Sequence, residues 1–317
     1  MIETQVARDA LLRLQANIEQ VIHGKTEVVC DAIVGLLAQG HILFEDLPGV
    51  GKTTLSHCIA GSLGLSFNRV QFTSDMLPSD ILGVTVYDPD KHDFEFRPGP
   101  IFANIVLVDE INRTTPKTQS ALLQAMNTGE ISIEKTTHAL PKPFMVIATQ
   151  NPIDTHGTFA LPQNQLDRFL LRLHMGYPGA EHEREILRDN RMAGDFSMIK
   201  PVLSADELVS MQKAVQDVKI EDSLVDYIVR LAHASRESRA IEVGISTRAA
   251  IALQRTAKAK AYLEGRDFCI PDDVKNMAIS TLAHRVQPVE GFQNEAQKVG
   301  SGTHLVLELL EAVSVPI

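Results

Sequence analysis

Tryptophan is absent from the 317 residues, and Phe and Tyr together make up only 5% of them. A chain that grips single-stranded nucleic acid by stacking needs a platform of exposed rings, and none is evident. Basic charge is also short, with 30 Lys and Arg against 40 Asp and Glu and a net charge of −10. That balance argues against the broad basic face of a duplex binder, although a total is silent about a few cations gathered in a pore. Cysteine is scarce. Cys30, Cys58 and Cys269 form no C-x-x-C pair and read as small buried hydrophobes in a reducing compartment. No apolar run approaches the ~18 residues of a membrane span. Residues 1–9 lack the apolar stretch of a signal peptide, which sets the expectation of a cytoplasmic protein. His182-Glu183 opens like a zinc-binding H-E-x-x-H motif, but Ile186 stands where the second His belongs, and the motif is discarded.

What is present is an ordinary globular composition, 44% hydrophobic and 22% charged, on a length that suits two domains. Short apolar runs recur at Ile42 to Phe44, Val70 to Phe72, Ile105 to Val108, Phe144 to Ala148 and Leu170 to Leu173. Continuous apolar strands separated by helical segments predict a five-stranded parallel sheet covered on both faces. Two hairpins interrupt the rhythm. One spans Val84 to Phe96 around Asp88-Pro89-Asp90, and the other runs from Glu130 to Leu140. Near Tyr177-Pro178-Gly179 the strands stop and helices take over. Ser204-Ala205-Asp206-Glu207 is a capping box, Leu224, Ile228 and Leu231 form an apolar stripe, Ser246 caps a helix ending near Gly265, and Pro271 opens another. The expected organisation is an α/β domain over residues 1–178 and an all-α domain over 179–317. The tail beyond Val286 contains an amphipathic helix at Leu305 to Leu310 that packs on the helical domain or meets a partner.

The chemistry gathers at strand ends. Glu45-Asp46-Leu47-Pro48-Gly49-Val50-Gly51-Lys52-Thr53-Thr54 lies between the first strand and a helix whose apolar face is Leu55, Ile59 and Leu63. A glycine loop entering a helix presents backbone amides and a positive dipole end to phosphate. Lys52 is placed to reach the β- and γ-phosphates of a nucleotide, and the Thr53 hydroxyl to bind Mg²⁺. The general P-loop pattern has Gly where this chain has Asp46, and a tight turn that merely caps a helix is the bland alternative. Asp109 and Glu110 follow the strand that begins at Ile105, where open α/β sheets hold ligands. Asp109 is expected to hold Mg²⁺, directly or through water, and Glu110 to polarise the attacking water. Asn151, after another apolar strand, can bond a water or the γ-phosphate. Arg168 has no evident partner in its own site. It reads either as an arginine finger for a neighbouring chain or as half of a surface Asp-Arg pair. Arg248 falls in the first turn of the helix capped by Ser246, where a cation opposes the dipole unless an anion is near. It is expected to face phosphate across the cleft between domains, an exposed Arg reaching into water being the alternative. Val21, Ile22 and Gly24, ahead of the first strand, offer apolar contact and backbone atoms to an adenine ring.

Taken in order, Glu45 through Thr53, Gly99-Pro100-Ile101-Phe102, Leu107 through Arg113, Ala148 through Pro152 and Leu161 through Phe169 resemble the AAA+ ATPases, and closely the MoxR family. The resemblance spans nearly the whole chain, and an acidic residue at Asp46 is familiar within it. It implies a P-loop NTPase domain followed by an all-α lid, with ATP and Mg²⁺ as ligands. It further implies Asp109 and Glu110 as the Walker B pair, Asn151 as sensor 1, Arg168 as arginine finger and Arg248 as sensor 2. The two hairpins resemble the helix-2 insert and the pre-sensor-1 hairpin. Proteins of this kind resemble chaperones that form hexameric rings and remodel client proteins. The clients often carry von Willebrand factor A domains, and some of them receive metal cofactors. Rival readings are a nucleic-acid translocase, for which Lys91, His92 and Lys135 at the hairpin tips are thin support, a subunit of a metal chelatase, and a nucleotide-gated binding module without turnover.

Overall fold

Along the chain, α1 (Thr4–Glu19) and α2 (Thr26–Leu37) lead into β1 (Ile42–Glu45), followed by α3 (Lys52–Ser62) and β2 (Phe67–Gln71). A short α4 (Pro78–Leu82) precedes the hairpin of β3 (Gly83–Asp88) and β4 (Asp93–Pro98). Next come β5 (Ile105–Asp109), a 3-10 turn at Ile111–Arg113, α5 (Pro116–Thr128), the hairpin of β6 (Glu130–Ile133) and β7 (Thr136–Ala139), β8 (Met145–Gln150), α6 (Gln163–Leu166) and β9 (Leu171–Leu173). The remainder is α7 (Ala180–Asp189), α8 (Ala205–Gln216), α9 (Asp222–Glu237), β10 (Ile241–Val243), α10 (Thr247–Leu263), α11 (Pro271–Leu282), β11 (Gln287–Pro288) and α12 (Ser301–Ala312). This is a computed structural model, and it describes residues 4–134, 136–152, 157–189, 196, 198–289 and 301–316. Lys135 of the second hairpin tip lies outside the described residues.

The five apolar runs are the five strands of one parallel sheet, ordered β2-β5-β8-β1-β9. Burial explains why they read as unbroken apolar runs rather than as alternation. Ile105 and Leu107 enter one core while Val106 and Val108 enter another on the opposite face. The edge strand β2 departs from expectation. It starts at Phe67, ahead of the apolar run, because Asn68, Arg69 and Gln71 are polar yet pair with Ile105–Asp109 of β5. In parallel register, Glu45 lies beside Gln150 and Gln71 beside Asp109, so β1, β8, β2 and β5 all end at one rim.

The helical part shares its core with one face of that sheet, so Leu208, Tyr227, Leu253 and Val274 continue the cluster that contains Ile33, Phe44 and Leu55. Its helix starts follow the sequence signals. Ser204 accepts from the Glu207 amide at 3.3 Å while Glu207 accepts from the Ser204 amide at 2.8 Å, and Ser246 accepts from the Ala249 amide at 3.0 Å. One short ribbon, β10 with β11, runs antiparallel among these helices and has no strong signal in sequence. The C-terminal helix α12 buries Leu305, Val306 and Leu309 against α11 and α9. Cys58 and Cys269 are buried free thiols, pushed up by burial to about 12 and about 11.

Two side chains stitch the helical part to the start of the chain. Gln212 donates to the Leu36 carbonyl at 2.8 Å. Asp31 of α2 accepts from Ser280 Oγ of α11 at 3.0 Å. Burial pushes the Asp31 carboxyl up to about 6, outweighing the Ser280 bond and nearby Lys260. A folded-state value raised above the usual 3.8 contributes stability that is present below pH ~4 and is lost as pH rises through about 6. Asp31→Asn is therefore expected to stabilise the protein at pH ~7.5, on the order of 1–3 kcal/mol, and to bring no gain near pH ~4. Thermal melts at the two pH values check this, and equal shifts at both would contradict it.

The two hairpins touch each other. Phe96 of β4 stacks on His138 of β7 with ring centroids 4.0 Å apart and planes at 26°, and Phe102 closes the cluster edge-on at 5.5 Å from Phe96. The outer part of the first hairpin leaves Val84, Val86, Tyr87 and Phe94 exposed.

Candidate active site

The loop after β1 owes its shape to two glycines. Gly49 (φ +85°) and Gly51 (φ +97°) both adopt left-handed backbone conformations. Space is not what selects Gly49, since a Cβ there would meet nothing within 4 Å. The first helical bond of α3 runs from the Leu55 amide to the Gly51 carbonyl at 2.9 Å. The amides ahead of Leu55 thus have no acceptor within the helix and are left to an anion or to water. Lys52 Nζ donates to the carbonyls of Asp46 and Leu47, both at 2.9 Å. Burial pulls its ammonium below the ordinary value, while Asp46, Asp109 and Glu110 act in the opposite direction.

Asp46 has a job of its own. Its carboxylate accepts from the Met175 amide and, at 3.3 Å, from the Gly176 amide, just past β9. The residue that departs from the general loop pattern thus ties the loop to the chain leaving the sheet, which a glycine cannot do. Val50 and Ile22 are buried in the core. Leu47 contributes only its carbonyl to the bonds just described, and neither it nor Val50 lines the cavity. Val21, Ile22 and Gly24 also lie off that lining, and the His182 ring sits over Gly24.

Lys52, Thr53, Asp109, Glu110 and Asn151 do converge on one cavity of about 300 Å³, with Asp46, Pro48, Gly49, Gly51 and Thr54 on its loop side. Asp109 is 7% exposed. Its Oδ1 accepts from Thr149 Oγ1 at 3.2 Å and its Oδ2 from Arg69 Nε at 2.7 Å. Glu110 adopts φ +56°, an uncommon conformation for a residue with a side chain. Its amide donates to Thr149 Oγ1 at 3.0 Å, and its Oε2 accepts from Gln71 Nε2 at 2.8 Å and Arg113 Nε at 3.0 Å. The acid is therefore aimed from both backbone and side chain.

Arg69, Gln71 and Thr149 line the cavity and were not singled out by sequence reasoning. Two of them become legible once the extent of β2 is known. Residues 69 and 71 of a strand point to the same side, and this strand ends beside Asp109.

Neither Arg168 nor Arg248 lines the cavity. Arg168 Nη1 donates to the Leu123 carbonyl at 2.9 Å, while its Nε is buried without a hydrogen-bond partner among the described residues. Arg248 lies 3.6 Å from Asp167 Oδ2 and donates to Asn127 Oδ1 at 3.2 Å. Arg248 is thus paired with the residue that directly precedes Arg168, at the turn after α6. That location is braced by the helical part. Buried Arg285 donates from Nε to Asp167 Oδ1 at 2.7 Å and from Nη2 to the Phe169 carbonyl at 2.6 Å. Gln163 reaches the His284 carbonyl at 2.9 Å.

The loop amides and Lys52 are donors of the kind that pair with a phosphate chain, and the two acids beside them are acceptors of the kind that hold a cation or a water proton. Carboxylate and hydroxyl oxygens from Asp109 and Thr53 are the hard donors that suit Mg²⁺, which commonly takes one or two protein oxygens and completes its shell with phosphate and water. Residues 41–171 match the family described as ATPase family associated with various cellular activities (AAA), and residues 233–301 match the AAA lid domain. Protein YeaC of Bacillus subtilis, itself uncharacterized, is 44% identical over 95% of this chain and 93% of its own length. Chaperone MoxR1 of Mycobacterium tuberculosis is 38% identical over 85% of this chain and 74% of its own. The crystal structure of a candidate ATPase from Cytophaga hutchinsonii superimposes with a TM-score of 0.89 at 33% identity, covering 99% of this chain and 97% of that one.

Proposed function

Because this chain belongs to the MoxR family of AAA+ ATPases, we propose that it hydrolyses ATP within an oligomeric ring, a hexamer by family resemblance, and uses the cycle to remodel or activate client proteins. The carrying observation is how the charged and polar groups divide. Lys52, Asp109, Glu110 and Asn151 line the cavity, whereas Arg168 and Arg248 stand together outside it. In our reading Lys52 and the loop amides bind the β- and γ-phosphates, and Asn151 positions the γ-phosphate or the attacking water. Glu110, held by Gln71 and Arg113, takes the proton of that water. Asp109 and Thr53 would hold Mg²⁺, which when bound neutralises phosphate charge. Arg168 and Arg248 both serve the cavity of the adjacent subunit. This revises the expectation that Arg248 reaches its own nucleotide across the cleft, since its partners here are Asp167 and Asn127. The adenine is read as lying near Val21, Ile22 and Gly24. We divide the chain near residue 178, after the last strand of the sheet ends at Leu173.

Loss of the γ-phosphate removes the contacts that these arginines make, and the Asp167–Arg285 pair passes that change to the helical part. The exposed apolar side chains of the first hairpin are the surface offered to a client. Proteins with von Willebrand factor A domains, some receiving metal cofactors, are the clients that the family resemblance suggests. An active site completed by a second chain makes a direct demand. Phosphate release per chain is expected to climb with protein concentration across the range in which sedimentation shows assembly. A rate per chain that stays constant down to monomeric samples would refute the shared site.

A further inference from the structure

Each acid at the end of β5 is met by a side chain from the edge strand β2: Gln71 on Glu110 at 2.8 Å and Arg69 on Asp109 at 2.7 Å. The two pairs differ in kind. Asp109 is the fixed member of its pair. It is 7% exposed, its backbone carbonyl accepts from the Phe72 amide at 2.9 Å, and Thr149 holds its other carboxylate oxygen. Arg69 is the movable member, with a side chain 54% exposed and, among the described residues, Asp109 as its sole ionic partner. A guanidinium at 2.7 Å occupies one of the two carboxylate oxygens that Asp109 could offer a divalent cation, Thr149 being bonded to the other. Mg²⁺ demands near-octahedral ligands at ~2.0–2.1 Å, and it repels a second cation on the same oxygen.

We propose that Arg69 is a displaceable counter-ion that neutralises Asp109 until a divalent cation replaces it, and so sets how much magnesium the protein needs to bind nucleotide. This rests on the reading of Asp109 as a metal-holding carboxylate. With Arg69 on Asp109, a triphosphate entering without metal meets a neutralised carboxylate. Without Arg69 it meets a bare negative charge, and its binding comes to depend on the cation. Competition for Asp109 is also relieved, so less magnesium suffices.

The test is equilibrium binding of a fluorescent, non-hydrolysable β,γ-imido ATP analogue, in excess EDTA and along a magnesium titration. Arg69→Gln is expected to weaken metal-free binding by about tenfold or more and to lower the half-saturating magnesium concentration several-fold. Arg69→Lys, which keeps the charge, is expected to hold metal-free binding within about threefold of the parent and so separates charge from local folding. A higher magnesium requirement in Arg69→Gln, or an unchanged dependence on magnesium, overturns the proposal. Asp109→Asn separates the two levels. If its binding still responds to magnesium as the parent does, Asp109 does not hold the metal and both readings fall. If that response is lost while Arg69→Gln behaves like the parent, the counter-ion role alone is wrong.

Discussion

Glu110→Gln will leave nucleotide binding intact and cut phosphate release by about 10²- to 10⁴-fold. The expectation rests on how the residue is held. Its amide is anchored to Thr149 Oγ1 at 3.0 Å, and that bond is indifferent to the side chain. An amide at position 110 has the shape of the carboxylate and keeps one acceptor for Gln71 or Arg113, so the left-handed backbone at φ +56° and the cavity wall persist. What disappears is the capacity to accept a proton from water. The groups proposed to bind phosphate, Lys52 and the amides of the glycine loop, are untouched. Single-turnover phosphate release and the affinity for a labelled nucleotide, measured on the same preparation, separate the two effects. Release within about threefold of the parent would remove Glu110 from the role of base, because a general base is worth far more than that.

Arg168→Ala is expected to cost about 10³- to 10⁵-fold in turnover, and the loss should be repaired by mixing with a second inactive variant. Arg168 lies off its own cavity, with one bond to the Leu123 carbonyl at 2.9 Å and a buried Nε that has no hydrogen-bond partner among the described residues. Lys52→Ala has the opposite defect, a failed cavity beside an intact arginine. When the two variants assemble together, some interfaces join an intact cavity to an intact arginine, and those interfaces turn over. Arg248→Ala should behave like Arg168→Ala in this mixing and regain activity with Lys52→Ala, because its ion pair with Asp167 sets it at the turn that carries Arg168. Recovery in neither pairing, with co-assembly verified by sedimentation, would mean that the arginines do not act on a neighbour's nucleotide.

The parallel sheet and the phosphate loop were readable in sequence because their signals are local. Leu43, Val106 and Val146 are buried because both faces of the sheet are covered, and that burial is written as uninterrupted apolar runs. Gly49 and Gly51 mark backbone conformations that few other residues adopt. The edge strand was harder. Asn68, Arg69 and Gln71 look like loop residues until the neighbouring strand is in place, and only the pairing with β5 turns Arg69 and Gln71 toward the two acids. Arg248 shows a different limit. The Ser246 cap fixes where its helix begins, yet which anion it meets depends on how α10 sits against α5 and the Asp167 turn. Spacing along one helix does not contain that relation. Asp46 is similar, since its partners Met175 and Gly176 are far away in sequence and follow the last strand.

The ring stack between Phe96 and His138 makes one lever of two arms. The outer hairpin thus rests on the inner one, which connects through β6 to α5 and so to the carbonyl of Leu123 that accepts from Arg168. On the function proposed above, a client that tugs on the exposed tip would have a mechanical line to the arginine assigned to the next subunit, and a load at one position in the ring would set the timing of the chemistry beside it.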